Sequence, residues 1–299
     1  MNLESEQLQT YQDQGYLLVE NCFSPKEIEV MKAELPRIYA EGKPGTITEK
    51  DGTTIRAIYG AHTYNPVFEC LSKQARIIEP IQQILGSSVY VHQFHINAKR
   101  ALTGDVYLWH QDYAYHLKED SIPTPRVAIA IVFLDEVHEF NSPLMVIPAS
   151  HQEGLIAEKS DRKQHETYEG YDSWIANVTS NINYAVDEPT LKRLTKKYGT
   201  VAPKGSAGSV LFLHPNCVHG STANIYPFDR AVVVIVYNSI ENIPLPMEKP
   251  RPDFLASPNH TAIKPLSGDA FLAIDILPTL LCETARDSHL SFKQTLADK

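Results

Sequence analysis

Apolar residues recur along this chain first at helical spacing and then, beyond residue 86, at the alternating spacing of strands. Ser24-Pro25-Lys26-Glu27 predicts a helix start: Ser24 can cap, Pro25 suits the first turn, and Glu27 completes a capping box. Ile28, Met31, Leu35 and Ile38 then fall on one face, the stripe of a packing helix. Before it, a short helix leads to Gly15 and a strand over Tyr16-Leu17-Leu18-Val19. A second helical block over 66–85 stops at Gly86, a residue suited to a helix C-cap.

The strand-rich part opens at 89–99, where Val89, Val91, Gln93, His95, Asn97 and Lys99 share one face that turns from apolar to polar. That pattern fits the wall of a ligand-filled barrel, and also an edge strand with one solvated end. The stretch 126–134 is apolar on both faces, which predicts a central strand covered on both sides. Further strands are expected after the turn at Pro143, within 143–148, and at 209–213 and 231–237. The segment 152–197 is polar and weakly periodic, so it reads as a solvated insertion or a lid. The expected architecture is mainly β with flanking helices, in a single domain over 1–299. A helical N-terminal layer spans about 1–86, and a barrel or jelly-roll core spans about 87–150 and 200–245. A C-terminal extension covers 246–299.

Composition narrows the function classes. With 43% hydrophobic and 21% charged residues the chain is ordinary for a globular protein, and a net charge of −9 offers no basic stripe for nucleic acid. Cys22, Cys70, Cys217 and Cys282 are widely spaced with no CxxC pair, which favours free thiols in a reducing cytoplasm over a zinc knuckle. The N-terminus lacks the pattern of a signal peptide, and no apolar run reaches the length of a membrane span. A cytoplasmic protein with a small-molecule partner is expected, as monomer or homodimer.

The chemistry is carried by Trp109-His110-Gln111-Asp112, by Val218-His219-Gly220-Ser221, and by Arg230, eleven residues past His219. Placed on a strand, His110 and Asp112 project to the same side and can reach one metal ion. Two imidazoles and one carboxylate on one face of a divalent iron leave the opposite face open, as oxygen activation requires. The third ligand has two candidates, His214 and His219. The latter is favoured because it follows a strand and precedes Gly220-Ser221, where the backbone can turn inward. HxD alone means little in a chain with 12 histidines and 36 acidic residues; joined to a distal His and Arg230 it means much more. The guanidinium of Arg230 can grip a carboxylate through two parallel hydrogen bonds, unless it is spent on Asp229 beside it.

With Asn141-Ser142-Pro143-Leu144-Met145-Val146-Ile147-Pro148-Ala149-Ser150-His151 between them, these motifs resemble the phytanoyl-CoA dioxygenase family over about residues 8–245. The nearest branch is that of ectoine and free-amino-acid hydroxylases. The resemblance implies a double-stranded β-helix (jelly roll, cupin-like) and an Fe(II)- and 2-oxoglutarate-dependent dioxygenase, with O2 as oxidant and ascorbate as an activator. It implies His110, Asp112 and His219 as iron ligands and Arg230, helped by Ser221, as the anchor of 2-oxoglutarate. Gln93, Asn97 and Tyr107 match positions lining the co-substrate pocket in ectoine hydroxylases. Related halogenases replace the metal-binding carboxylate with a small residue, so Asp112 implies hydroxylation.

Several positions depart from the family pattern. Ser142 and Ala149 stand where glycine is usual, His95 replaces an arginine, and His116 replaces a tryptophan four residues after the metal aspartate. The last two positions touch ectoine in that family, which argues against ectoine as substrate. Pocket candidates are His95, Tyr113, Tyr115, His116, Trp174 and Phe228. A free aliphatic L-amino acid of leucine type is the expected substrate. An ectoine-like solute, a cyclic imino acid or a natural-product scaffold is the alternative, ahead of a non-catalytic cupin-like metal binder or a zinc hydrolase.

Overall fold

The computed structural model describes residues 1–156 and 183–271 of the 299-residue chain. The N-terminal layer holds helices α1 (Ser5–Gln14), α2 (Pro25–Ala40), α3 (Pro66–Ser72) and α4 (Ala75–Leu85). Ser24 and Glu27 form the expected reciprocal cap on α2, and Ile28, Met31, Leu35 and Ile38 are all buried. The helical block 66–85 is two helices: Asn65 caps the first, and α4 starts anew after Gln74. At that break, Ala75 N–H donates to Leu266 O and Leu266 N–H to Lys73 O, so the late segment of the chain is stitched into the helical layer.

Among the described residues ten strands form two sheets. β1 (Tyr16–Val19), β2 (Thr46–Thr48), β3 (Ile55–Tyr59), β4 (Val89–Lys99), β6 (Val127–Phe133), β8 (Val210–Leu213) and β10 (Arg230–Ser239) form an antiparallel sheet of order β1-β8-β6-β10-β4-β3-β2. β5 (Tyr107–His110), β7 (Leu144–Val146) and β9 (His219–Ser221) form a small sheet of order β5-β9-β7. Among the described residues the remaining α-helices are α5 (Asp112–Asp120) and α6 (Glu188–Tyr198). The arrangement is the mainly β, jelly-roll class expected. The strands β2 and β3 correct the reading of 1–86 as a helical layer: β2 is a three-residue edge strand and β3, between β2 and β4, has five residues, too few alternating positions to betray them.

β6 is central and buried at all seven positions, as its continuous apolar run requires. Ala128, Ala130 and Val132 face the helical layer with Val233 and Ile235 of β10, packing on Ile77, Ile78, Ile81 and Phe68. Ile129, Ile131 and Phe133 look the other way with Val232, Val234 and Val236. Register then sets the site. Val234 is paired with His95 of β4 on one side and Ile131 of β6 on the other; Val232 likewise lies between Asn97 and Phe133. A polar column on β4 thus runs beside an aliphatic surface made by β10 and β6, on one face of the sheet. Of the segment expected as insertion or lid, 157–182 lies outside the described residues, as does Cys282; Cys22, Cys70 and Cys217 are buried free thiols. Among the described residues no helix is long and apolar enough to cross a membrane.

Candidate active site

The small sheet brings the motif histidines together. β5 pairs with β9 so that His110 lies opposite His219, with ring centroids 4.2 Å apart. His110 Nε2 is 3.1 Å from Asp112 Oδ1, and His219 Nε2 is 3.7 Å from Asp112 Oδ2. Each imidazole is oriented from behind: His110 Nδ1 lies 2.6 Å from Leu108 O, and His219 Nδ1 lies 3.0 Å from Cys217 O. A carbonyl accepts only, so each Nδ1 carries the proton and each Nε2 keeps its lone pair turned toward Asp112. This is the state in which a histidine ligates a metal. One ligand atom from each of the three residues lies within 4.8 Å of the others. Burial pushes His219 down to about 4, helped by His110, so the ring is neutral near pH 7. Burial alone raises the Asp112 carboxyl, but the charge of His219 and the hydrogen bond and charge of His110, each acting in the protonated ring, outweigh it and hold the group well below its usual range.

One detail differs from the sequence reading. His110 ends β5, whereas Asp112 is the first residue of α5, so the two do not share a strand. The helix explains which neighbours reach the cavity. Tyr115 and His116, three and four positions on, return to the face of Asp112 and line the cavity. Tyr113, about 100° around the helix, does not. Its ring packs in the core with Ile122 and Val127, and its hydroxyl donates to Ile122 O. Tyr113, a pocket candidate by sequence, thus lies away from this cavity because the chain is helical from Asp112. Phe228 is also misplaced: it is 66% exposed, in the turn before β10, and faces an outer groove with Lys32, Tyr39 and Arg100. Trp174 lies outside the described residues.

His95 lines the cavity, stacked on Tyr59 at 4.8 Å, with Gln93 and Asn97 on the same face of β4. The next residue on that face, Lys99, is buried and donates to Thr222 O and Asp105 O. Tyr107 donates to Asn97 Oδ1, and the Arg56 guanidinium lies 3.8 Å above its ring. Arg230 is buried at the start of β10 and lines the same cavity, with Ser221. Its guanidinium donates to Asn141 O and Ser142 O, which leaves further N–H groups for a carboxylate. Asp229 is paired instead with Arg100, at 2.9 Å. Ser142 and Ala149 have φ of 61° and 58°, the left-handed region, which accounts physically for glycine being usual there.

His214 is excluded as the third ligand by position. Its ring lies beside His151, at 4.8 Å, and its Nδ1 accepts from Asn216 N–H. Burial and His151 push it down to about 3. Since the unfolded chain takes up this proton near pH 6.5 and the fold resists it, the stability His214 contributes is full above about pH 6.5. It falls away toward pH 3, by up to about 1.4 kcal/mol per pH unit. Urea melts of His214→Asn between pH 6.5 and 4 should show a shallower pH slope than the parent. Gly220, between the two ends of the motif, offers a second test. A Cβ there meets Tyr107 O at 2.9 Å and Trp109 N at 3.2 Å. Gly220→Ala should push β5 from β9, separate His110 from His219, and weaken Fe(II) affinity roughly tenfold or more, as loss of ligand support does, in an anaerobic titration.

The aliphatic lining aside, two cavity residues escaped the sequence reading: Tyr59, on the five-residue strand β3, and Arg251, in a proline-rich stretch without periodicity. Arg251 is buried and grips Asp120 with Nε at 2.7 Å and a terminal nitrogen at 2.6 Å. Arg230 stands opposite Lys99, whereas Tyr59, beside Arg251, stands opposite His95. Lys99 and His95 are four strand residues apart, roughly 13 Å. The cavity thus has an arginine toward each end.

Comparison with known proteins shows which family the chain resembles in sequence and fold. The family described as phytanoyl-CoA dioxygenase (PhyH) matches residues 11–232. An ectoine dioxygenase of Bordetella bronchiseptica is 33% identical over 273 residues, covering 88% of this chain and 86% of that protein. An L-proline trans-4-hydroxylase of Streptomyces griseoviridis is 29% identical over 259 residues, covering 87% and 94%. The crystal structure of EctD from S. alaskensis with 2-oxoglutarate and 5-hydroxyectoine superposes with a TM-score of 0.74 at 30% identity, covering 89% of this chain and 88% of that one. The same protein with bound Fe gives 0.73.

Proposed function

Because the chain belongs to the phytanoyl-CoA dioxygenase family and is an Fe(II)- and 2-oxoglutarate-dependent dioxygenase, we propose that it hydroxylates an unactivated C–H bond of a free amino or imino acid. His110, Asp112 and His219 hold the iron, and Arg230 with Ser221 holds the far carboxylate of 2-oxoglutarate. Held there, iron and 2-oxoglutarate would supply the oxygen-activating chemistry, with succinate and CO2 as co-products. The donor set fits this role: two imidazoles whose Nδ1 each faces a carbonyl and whose Nε2 each faces the site, with an ionised carboxylate, suit Fe(II).

The observation that carries the substrate class is Arg251. A second buried arginine in one cavity, apart from the one assigned to 2-oxoglutarate, is a second carboxylate anchor. Between the two, Ile131, Val232, Val234 and Val236 present an aliphatic wall that excludes water and suits a hydrocarbon side chain. Leucine-type and cyclic imino acids both satisfy this. An ectoine-like solute is the second reading, favoured by the overall likeness to ectoine dioxygenases and opposed by His95 and His116 at the two altered positions. Protein supplied with Fe(II), ascorbate and 2-oxoglutarate is to be screened against L-leucine, L-isoleucine, L-valine, L-proline, pipecolic acid and ectoine. Substrate-stimulated succinate with a gain of one oxygen on an amino or imino acid supports the reading; stimulation by ectoine alone rejects it.

A further inference from the structure

Asp120 is the last residue of α5, 3% exposed, at the end of a helix where a negative charge is least welcome. Such a carboxylate persists only with strong partners, and it has three. Arg251 takes both oxygens, His92 Nε2 lies 2.8 Å from Oδ2, and His116 Nδ1 lies 3.5 Å from the same oxygen. The trio His92, His116 and Asp120 also has the composition of a metal site. The Arg251 fork argues against one, since a cation there would sit against a fixed positive charge and compete for occupied oxygens.

A different use follows from the free ends of this cluster. His116 and Arg251 line the cavity, whereas His92 does not. With Nδ1–H turned to the Asp120 carboxylate, His116 Nε2 is left as a lone-pair acceptor, and it is buried with no partner among the described residues. A buried acceptor without a donor is costly unless something else supplies one. Periodicity places it well: Asp112, His116 and Asp120 are spaced by four on one face of α5, so metal ligand, acceptor and carboxylate follow one another along the helix.

We propose that Asp120 is a positioning residue that holds Arg251 for the substrate carboxylate and fixes His116 as the acceptor for a substrate N–H. The pair reads the two ends of a zwitterion, the carboxylate at Arg251 and the adjacent amino or imino N–H at His116. This rests on the amino-acid reading above and adds the group that discriminates within it. A carboxylic acid of the same shape without an N–H leaves His116 Nε2 unpaired and binds more weakly.

The test uses the full-length protein loaded anaerobically with Fe(II) and 2-oxoglutarate, following the visible absorption that 2-oxoglutarate gives on chelating the metal. L-leucine and L-proline are titrated against N,N,N-trimethyl-L-leucine and N,N-dimethyl-L-proline, which keep the carboxylate and lack the N–H. The parent should prefer the N–H form of at least one pair by about tenfold or more. His116→Leu should erase that preference and His116→Gln, whose amide oxygen accepts, should restore part of it. Asp120→Asn should weaken all carboxylate ligands about tenfold or more while the 2-oxoglutarate absorption and its affinity stay unchanged. If His116→Leu keeps the preference, or Asp120→Asn binds as the parent does, the assignment is overturned with the amino-acid reading intact. If the parent binds none of the four, the amino-acid reading fails and this falls with it. Where Asp120→Asn does not fold, the His116 pair decides.

Discussion

His219→Ala should remove turnover altogether and should lower Fe(II) affinity by more than the roughly 10–100-fold that follows loss of a metal's outer hydrogen-bond partner. The reason is geometric. His219 is one of the three residues whose ligand atoms converge at this site, and its tautomer is fixed by Cys217 O, so among the described residues no neighbour there can take its place. His214 is near in sequence, but its ring lies against His151 and its Nδ1 is occupied by Asn216 N–H. His214→Ala should therefore retain iron. Equilibrium dialysis of both variants with Fe(II) under argon separates them, and iron bound equally by His219→Ala and the parent would count against the site.

Arg230→Met should raise the KM for 2-oxoglutarate by roughly 10–150-fold, the value of hydrogen bonds to a charged group. The kcat at saturating co-substrate should change less, because the reacting carbon is not touched. Burial lowers the guanidinium only to about 10, so it remains charged at neutral pH and can hold a dianion. The same substitution leaves Asn141 O and Ser142 O without their donor, for a stability loss of about 1–3 kcal/mol. Arg230→Lys keeps the charge and loses the fork, so its KM should lie between the two. Initial rates against 2-oxoglutarate with a fixed second substrate give the split, and thermal melts give the stability term.

Much of the fold was legible because burial dictated it. The run 126–134 could only be a central strand, and β6 is buried on both faces. The face of 89–99 that turns polar is the cavity wall. The convergence of His110, Asp112 and His219 was legible because ligand chemistry restricts residue types sharply. The differences lie where the chain has turned and a strand's period is no guide. At Asp112 the backbone becomes helical, which swings Tyr113 into the core and brings Tyr115 and His116 to the cavity. At Phe228 the chain is still in a turn, where alternation does not apply, and the ring points to solvent. Arg251 was hidden because its place depends on a tertiary contact with Asp120, 131 residues earlier, which no local pattern encodes.

The most direct measurement is turnover under ¹⁸O₂ with the parent, His219→Ala and Arg230→Met, reading succinate and the hydroxylated amino or imino acid by mass. One labelled atom in succinate and one in the product, formed in equal amounts, dependent on Fe(II) and absent in His219→Ala, is the result expected. A product whose oxygen comes from water, or turnover that survives in His219→Ala or without iron, would contradict it.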